Sequence, residues 1–283
     1  MTPDRYAVLG NPVAHSRSPF IHAAFARQTA QAVEYGRLLC PLDGFAAAVR
    51  EFAVGGDGRA RGCNVTVPFK FQALPLARHC SERAALAGAA NTLRFDAAGW
   101  YADNTDGIGL VRDIEHNAGV ALAGRRVLLV GAGGAAAGVL GPLLAARPAA
   151  IVVANRTPAK AQALVDRHAA WARAHGVALA SSGLDRPGEA FDVLVNASAS
   201  SLQGQASPVP AAALAPAALA VDLMYGAAAQ PFLEWARAAG ATPRDGLGML
   251  VEQAAESFFV WRGVHPLTAP VLQALRDSLA SPA

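Results

Sequence analysis

The segment Asn64-Val65-Thr66-Val67-Pro68-Phe69-Lys70 has the build of a proton-transfer element: a strand of alternating polar and apolar residues with a lysine at its mouth. Period-two alternation puts Asn64 and Thr66 on one face, both polar amid apolar neighbours. A lysine beside an apolar wall and a carboxylate can donate or accept a proton. The simpler reading of Lys70 is a surface lysine after a turn. Asp103-Asn104-Thr105-Asp106-Gly107 supplies carboxylates at a helix start; capping accounts for one of them but not for two. Asn91-Thr92 opens another strand and is a candidate for the same opening. His15-Ser16-Arg17-Ser18 follows the first strand, where two hydroxyls at i, i+2 suit an anion or a hydroxylated acid. In the simpler reading Ser18 is the N-cap of the next helix and Ser16 is solvated. Gln253 lies one turn from Met249 and from Ser257 on a C-terminal helix, where a solvated position is the plainer expectation.

A second group of residues is built for phosphate. Val127 to Val130 is an apolar run followed at once by Gly131, Gly133 and Gly134 and then by an alanine-rich helical stretch. A strand that turns sharply into a helix needs the backbone freedom of glycine. Without side chains the turn lets a pyrophosphate approach, and the helix N-terminus then holds it through its N–H groups and positive end. Ala136 stands where the third glycine of G-x-G-x-x-G/A would sit, and a small residue still allows close helix–strand packing. A second apolar run, Ile151 to Ala154, ends in Asn155-Arg156-Thr157, with Lys160 beyond. NAD binders place an Asp or Glu at this strand end, for the ribose 2′-hydroxyl. Here no acid is present, and a guanidinium pairs with a 2′-phosphate that a carboxylate would repel. The residues therefore favour NADP over NAD, unless Arg156 and Lys160 are ordinary surface charges.

The elements that must position these groups follow from periodicity and punctuation. Strands are expected at Tyr6–Gly10, Glu34–Leu39, Gly62–Val67, Phe191–Asn196 and Leu219–Leu223, and a hairpin pair at Asn91–Phe95 and Trp100–Ala102. Helices are expected from Ser18-Pro19, over Phe45–Phe52, from Asp106 and from Gly246 onward. In the last of these, Leu250, Ala254, Phe258 and Trp261 share one face. The Ala/Pro run Pro208–Ala218 reads as a loop with a small helix. Alternating strands and helices define an α/β chain, and 283 residues suffice for two domains. An α/β domain precedes the dinucleotide unit, the C-terminal helices return to it, and a cleft between the two is the natural substrate site.

Composition excludes several classes. A net charge of +3 with scattered basic residues gives no stripe for nucleic acid. The N-terminus lacks the build of a signal peptide. The uncharged window Val127–Ala146 is long enough for a membrane span, yet it contains Pro142 and several glycines and fits a buried strand, turn and helix better. Three cysteines without CxxC and seven histidines without HxxxH predict neither disulfides nor a metal site. A cytoplasmic, reducing setting is the default.

Taken in order, YAVLGNPVAHSRSPFIH, GCNVTVPFK, ERAALAGAANTL, DNTDGIG, VLLVGAGGAAAGVL, ANRT, VNAS and DGLGMLVEQAA span nearly the whole chain, and together they resemble the shikimate dehydrogenase family. The resemblance implies a substrate domain over residues 1–106, with helices of 246–283 packed back onto it, and a Rossmann-like NADP-binding domain over 107–245. It implies NADPH-dependent reduction of 3-dehydroshikimate, a small-molecule substrate and a monomer or homodimer. Ser16, Ser18, Asn64, Thr66, Asn91 and Gln253 would hold the substrate, Tyr225 would border it, and Lys70 with Asp106 would form the acid–base pair. Gly131, Ala132, Gly133, Gly134 and Ala135 would cradle the pyrophosphate. Asn155, Arg156, Thr157 and Lys160 would meet the 2′-phosphate, and Gly246 would lie against the cofactor. Three departures stand out. Gly226 replaces a common Asn after the tyrosine, Lys160 replaces a common Arg, and the 197–202 loop differs. A quinate/shikimate enzyme of broader cofactor use is the alternative, and would favour an acid near position 155. A non-catalytic NADP sensor, the third reading, would be expected to lose the Lys70/Asp106 pair.

Overall fold

The computed structural model describes residues 2–55, 58–201 and 204–280. The chain divides into two compact units, Met1–Gly109 with Leu250–Ala283, and Leu110–Met249. The first contains β1 (Asp4–Gly10), α1 (Ser18–Gln28), β2 (Val33–Leu39), α2 (Phe45–Val54), β3 (Ala60–Val65) and the short α3 (Lys70–Ala73). It continues with β4 (His79–Cys80), α4 (Glu82–Ala87), β5 (Thr92–Arg94), β6 (Tyr101–Asp103) and the start of α5 (Asp106–Arg112). Its sheet runs in the order β2-β1-β3-β5-β6-β4. The β1 pairings to β2 and β3 are parallel, and β3-β5-β6 is antiparallel, with β5 and β6 forming the expected hairpin pair. Leu9, Cys63, Val65, Phe69 and Leu93 fill the core beneath it.

Two expectations in this unit need correction. Ser18 is not the N-cap of α1: the helix begins at Ser18, and Arg17 occupies the cap without a side-chain hydrogen bond. Pro19 fixes the first turn, and the Ser16 hydroxyl accepts from the Ser18 N–H at 3.3 Å in the role a cap would fill. The strand expected over Gly62–Val67 ends at Val65, because the chain turns through Pro68, which has no N–H for a ladder. Thr66 still donates its N–H to Leu9 O at 2.9 Å, so it stays tied to β1.

The second unit contains β7 (Arg126–Val130), α6 (Gly134–Ala145), β8 (Ala150–Ala154), α7 (Pro158–Ala174), β9 (Ala178–Ser182) and β10 (Phe191–Asn196). After these come β11 (Leu214–Asp222), α8 (Gln230–Ala238) and β12 (Thr242–Arg244). The sheet order is β12-β11-β10-β7-β8-β9 and every pairing is parallel. Counted from β7, that is the 3-2-1-4-5-6 order of doubly wound dinucleotide folds. Val127 to Val130 are fully buried, as expected of a central parallel strand covered on both faces. β11 begins at Leu214, not at Leu219, and takes in part of the Ala/Pro run read as a loop with a small helix. Its register jumps between Leu214 and Leu219, since Pro216 cannot donate to the ladder and Ala217 sits at φ 58°.

α9 (Leu247–Arg262) and α10 (Ala269–Ala280) complete the chain. α9 was expected to bury one face. Instead residues 251–258 are buried all round, Glu252, Gln253, Glu256 and Ser257 included. No helix among the described residues is long and apolar enough to cross a membrane.

Candidate active site

β3, β5, α5 and α9 bring their polar side chains together inside the first unit. Lys70 opens α3, and its Nζ lies 2.5 Å from Asp106 Oδ2 at the start of α5. The two side chains are 16% and 6% exposed, so this is a nearly dry ion pair with strengthened electrostatics. The other carboxylate oxygen, Asp106 Oδ1, accepts from Asn91 Nδ2 at 2.9 Å. The Asp106 N–H reaches Asn104 Oδ1 at 3.3 Å, so a side chain just before the helix satisfies this N–H and the Asp106 carboxylate is left to Lys70. Asp103 is spent differently: it takes two bonds from Arg83, each 2.7 Å, and one from Ser81.

Asn64 and Gln253 complete the cluster. Asn64 Oδ1 accepts from Tyr35 Oη at 2.7 Å, and its Nδ2 faces Ser257 Oγ at 3.0 Å and Thr92 Oγ1 at 3.1 Å. Burial pushes the Tyr35 phenol well above its ordinary range, with the Ser18 hydroxyl opposing it, so Tyr35 remains a donor to Asn64. Gln253 Oε1 accepts from Asn91 Nδ2 at 3.1 Å, and its Nε2 donates to Leu250 O at 2.9 Å. Its side chain is buried rather than solvated. Ser16 and Ser18 lie at one edge, their hydroxyls 3.1 Å apart, and Arg37 bonds to Ser16 O. Thr66 is half-buried just past β3, against Gly10, where any Cβ would strike its methyl group.

Tyr35 and Ser257 are members of this cluster that sequence reasoning did not select. Ser257 carried a signal: at i+4 from Gln253 it continues a polar line on an otherwise apolar helix. Tyr35 carried none, since alternation in β2 says nothing about the partner of its hydroxyl.

The second unit holds the glycine turn. Gly131 lies at φ +113°, and a Cβ there would sit 2.8 Å from the Ala197 carbonyl oxygen. Gly133 is the N-cap of α6 with no side-chain cap, and a Cβ built on it meets no heavy atom within 4 Å. The turn thus leaves open space in front of uncapped helix N–H groups, and Ala132, Gly134 and Ala135 line it half-buried. This fits a pyrophosphate. At the end of β8, Asn155 Nδ2 braces the turn through Thr157 O at 3.0 Å, while Arg156, Thr157 and Lys160 are exposed at the start of α7. A phosphate on the adenosine ribose would find two cations there and no carboxylate. The described residues therefore suit a dinucleotide with an extra phosphate.

Beyond β11, Gly246 is buried and donates to Met224 O at 2.9 Å, with no room for a Cβ against the Leu223 carbonyl. Tyr225 is half-buried on the same return. Gly226 follows at φ +66°, a left-handed position that suits Gly and Asn alike, which accounts for the exchange between them. Burial raises the Asp222 carboxyl, opposed by the Ser201 hydroxyl, the Met224 N–H and Asn196. Ser198 and Ser201 both bond Asn196, so the divergent loop is braced by hydroxyls, although its Leu202 lies outside the described residues.

A parallel sheet in this order, with a glycine turn after its first strand and cations after its second, joined in one chain to a unit holding a buried lysine–carboxylate pair, defines a dinucleotide-dependent oxidoreductase. Residues 8–93 match the family model for the shikimate dehydrogenase substrate binding domain, residues 113–205 that for shikimate / quinate 5-dehydrogenase, and residues 246–276 that for the shikimate 5′-dehydrogenase C-terminal domain. A shikimate dehydrogenase (NADP(+)) of Methylibium petroleiphilum is 65% identical, over 96% of this chain and 94% of that protein. One from Cupriavidus necator is 56% identical, over 98% and 95%. The Thermus thermophilus shikimate 5-dehydrogenase in complex with NADP(H) and shikimate superposes with a TM-score of 0.84 at 33% identity, over 98% and 100% of the two chains. An Ael1 enzyme from Pseudomonas putida gives 0.86 at 47%, over 99% of each. The chain belongs to the shikimate dehydrogenase family.

Proposed function

We propose that this protein catalyses the reversible NADPH-dependent reduction of 3-dehydroshikimate to shikimate, a step of aromatic amino-acid biosynthesis, in the cytoplasm and as a monomer or homodimer. The observation that carries the reading is the Lys70–Asp106 pair held by Asn91, with Lys70 and Asn91 inside the substrate-domain match. Bound NADPH supplies a hydride to the ketone carbon. The ketone oxygen then needs a proton and positive charge, and the Lys70 ammonium offers both at Nζ. Asp106 holds that ammonium through Oδ2, and Asn91 occupies Oδ1, so the carboxylate is fixed toward the lysine.

Ser16 and Ser18 take the substrate carboxylate in this reading, and Thr66, Asn91 and Gln253 take its hydroxyls, with Asn64 behind them and Tyr225 bordering the ring. Gln253 and Asn91 are already oriented by their own hydrogen bonds, which lowers the ordering cost on binding. On the cofactor side Gly131, Ala132, Gly133, Gly134 and Ala135 hold the pyrophosphate, Asn155, Arg156, Thr157 and Lys160 the 2′-phosphate, and Gly246 the approach beside Tyr225. The test follows reduced-nicotinamide absorbance in four mixtures, shikimate or quinate with NADP⁺ or NAD⁺. Turnover confined to shikimate with NADP⁺ supports the reading. Equal use of quinate or NAD⁺ moves the chain to a broader enzyme, and silence in all four refutes the reaction.

A further inference from the structure

Ser257 belongs to no group assigned above, yet its hydroxyl sits at the centre of the buried cluster. It is fully buried on α9. Its Oγ lies 2.8 Å from Thr92 Oγ1, 3.0 Å from Asn64 Nδ2 and 3.1 Å from both Thr105 Oγ1 and Gln253 O. A serine hydroxyl has one proton and two acceptor sites, so these contacts can be assigned by counting donors. Asn64 Nδ2 can only donate, and takes one acceptor site. The Ser257 proton is shared between the nearest oxygen, Thr92 Oγ1, and Gln253 O, which can only accept. Thr92 then donates to Asn91 Oδ1 at 2.9 Å, Asn91 Nδ2 donates to Thr105 Oγ1 at 2.9 Å, and Thr105 donates back to Ser257. The result is a closed ring, Ser257 to Thr92 to Asn91 to Thr105 to Ser257, in which all donors run in one direction. Such rings reinforce themselves in a low-dielectric interior.

The ring has a chemical consequence at Asn91. Its second Nδ2 proton is shared by Asp106 Oδ1, 2.9 Å away, and Gln253 Oε1, at 3.1 Å. If the amide turned over, its carbonyl oxygen would face the carboxylate instead, and Asp106 would be pushed off the position that serves Lys70. Two features oppose that turn: the Thr105 backbone N–H, 2.9 Å from Asn91 Oδ1, and the ring that Ser257 closes.

We propose that Ser257 is a positioning residue for proton transfer, closing a directed hydrogen-bond ring that keeps the Asn91 amide donating to Asp106. This rests on the reaction proposed above. The test is the kcat and KM of Ser257→Ala and Thr105→Val, alone and combined, in shikimate oxidation by NADP⁺, with melting temperatures alongside. Ser257→Ala is expected to lower kcat about tenfold, the scale of one buried orienting hydrogen bond, with a much smaller change in KM for shikimate. In the Thr105→Val background the ring is already open, so adding Ser257→Ala should change kcat by less than about twofold, the mark of coupled residues. A melting temperature that falls while kcat of Ser257→Ala stays at the wild-type value would overturn the proposal, as would kcat effects that multiply in the double variant. Wild-type protein silent with shikimate and NADP⁺ would instead sink the reaction, and this inference with it. A working wild type with an indifferent Ser257→Ala sinks the inference alone.

Discussion

Replacing His22 by Phe should flatten the acid dependence of stability. His22 is fully buried on α1, stacked on Tyr35 at 4.2 Å with the rings 8° apart and tilted against Trp261 at 5.3 Å. Neither ring nitrogen makes a well-formed hydrogen bond among the described residues. Burial pushes its pKa down to about 3, opposed only in part by the Asn64 side chain. The sign follows from proton counting: folded His22 stays neutral, while unfolded His22 takes up a proton below its ordinary value near 6.5. The unfolded state therefore binds more protons, and stability is lost as pH falls from about 6.5 towards about 3. At pH 5 the linkage relation gives about 2 kcal/mol lost relative to pH 8. For units of this size that is about 4–8 °C in melting temperature. Phe keeps the aromatic stack and removes the titration. The assay is the melting temperature of both proteins at pH 8 and pH 5, in which every other titrating group is common to the pair. If His22→Phe loses as many degrees as wild type between the two pH values, His22 is not neutral and buried in the way argued here.

Three further outcomes are expected. Lys70→Ala should lower kcat by about 10²–10⁴ with little change in KM for shikimate, because general-acid help acts in the transition state; equal loss in KM alone would remove the acid–base role. Arg156→Ala should weaken NADP⁺ binding about tenfold or more and leave NAD⁺ binding nearly unchanged, as read by titration of each cofactor; parallel weakening would refute a 2′-phosphate contact. Gly131→Ala should cost about 1–3 kcal/mol and weaken cofactor binding, since its φ of +113° and the Ala197 carbonyl leave no place for a Cβ; an unchanged melting temperature would contradict the turn geometry.

The two kinds of structure in this chain were unequally legible. β7, α6, β8 and β10 could be read from short apolar runs and a glycine turn, because a buried parallel strand announces itself by composition. β9 and β12 were not read: Ala178–Ser182 is small and polar at a sheet edge, and Thr242–Arg244 carries Pro243. The early start of β11 was hidden by its own Ala/Pro bulge. In the active site the polar residues of β3 and α5 stood out as breaks in apolar patterns. Their partnerships did not, since Asn64 meets Ser257 across 193 residues of sequence and Tyr35 across 29. Such pairings are properties of the fold, and no local period encodes them.

The all-round burial of α9 shows what that arrangement does for catalysis. An amphipathic helix would have left Gln253 and Ser257 in water, where an amide gains little from one particular orientation. Within the first unit, Phe25 packs edge-on against Phe258 of α9, Trp261 tilts against Tyr35, and Arg83 bridges Asp103 to Glu256 at 2.7 and 3.0 Å. Burying so many polar groups is favourable only when each finds a partner. Asn64, Asn91, Thr92, Thr105 and Ser257 satisfy one another almost completely. That mutual satisfaction makes any rearrangement costly, because turning a single amide leaves several others unpaired. Rigidity of this kind is what the proposed proton-transfer pair needs: Asp106 and Lys70 are held at 2.5 Å by neighbours with no better alternative, before any substrate arrives.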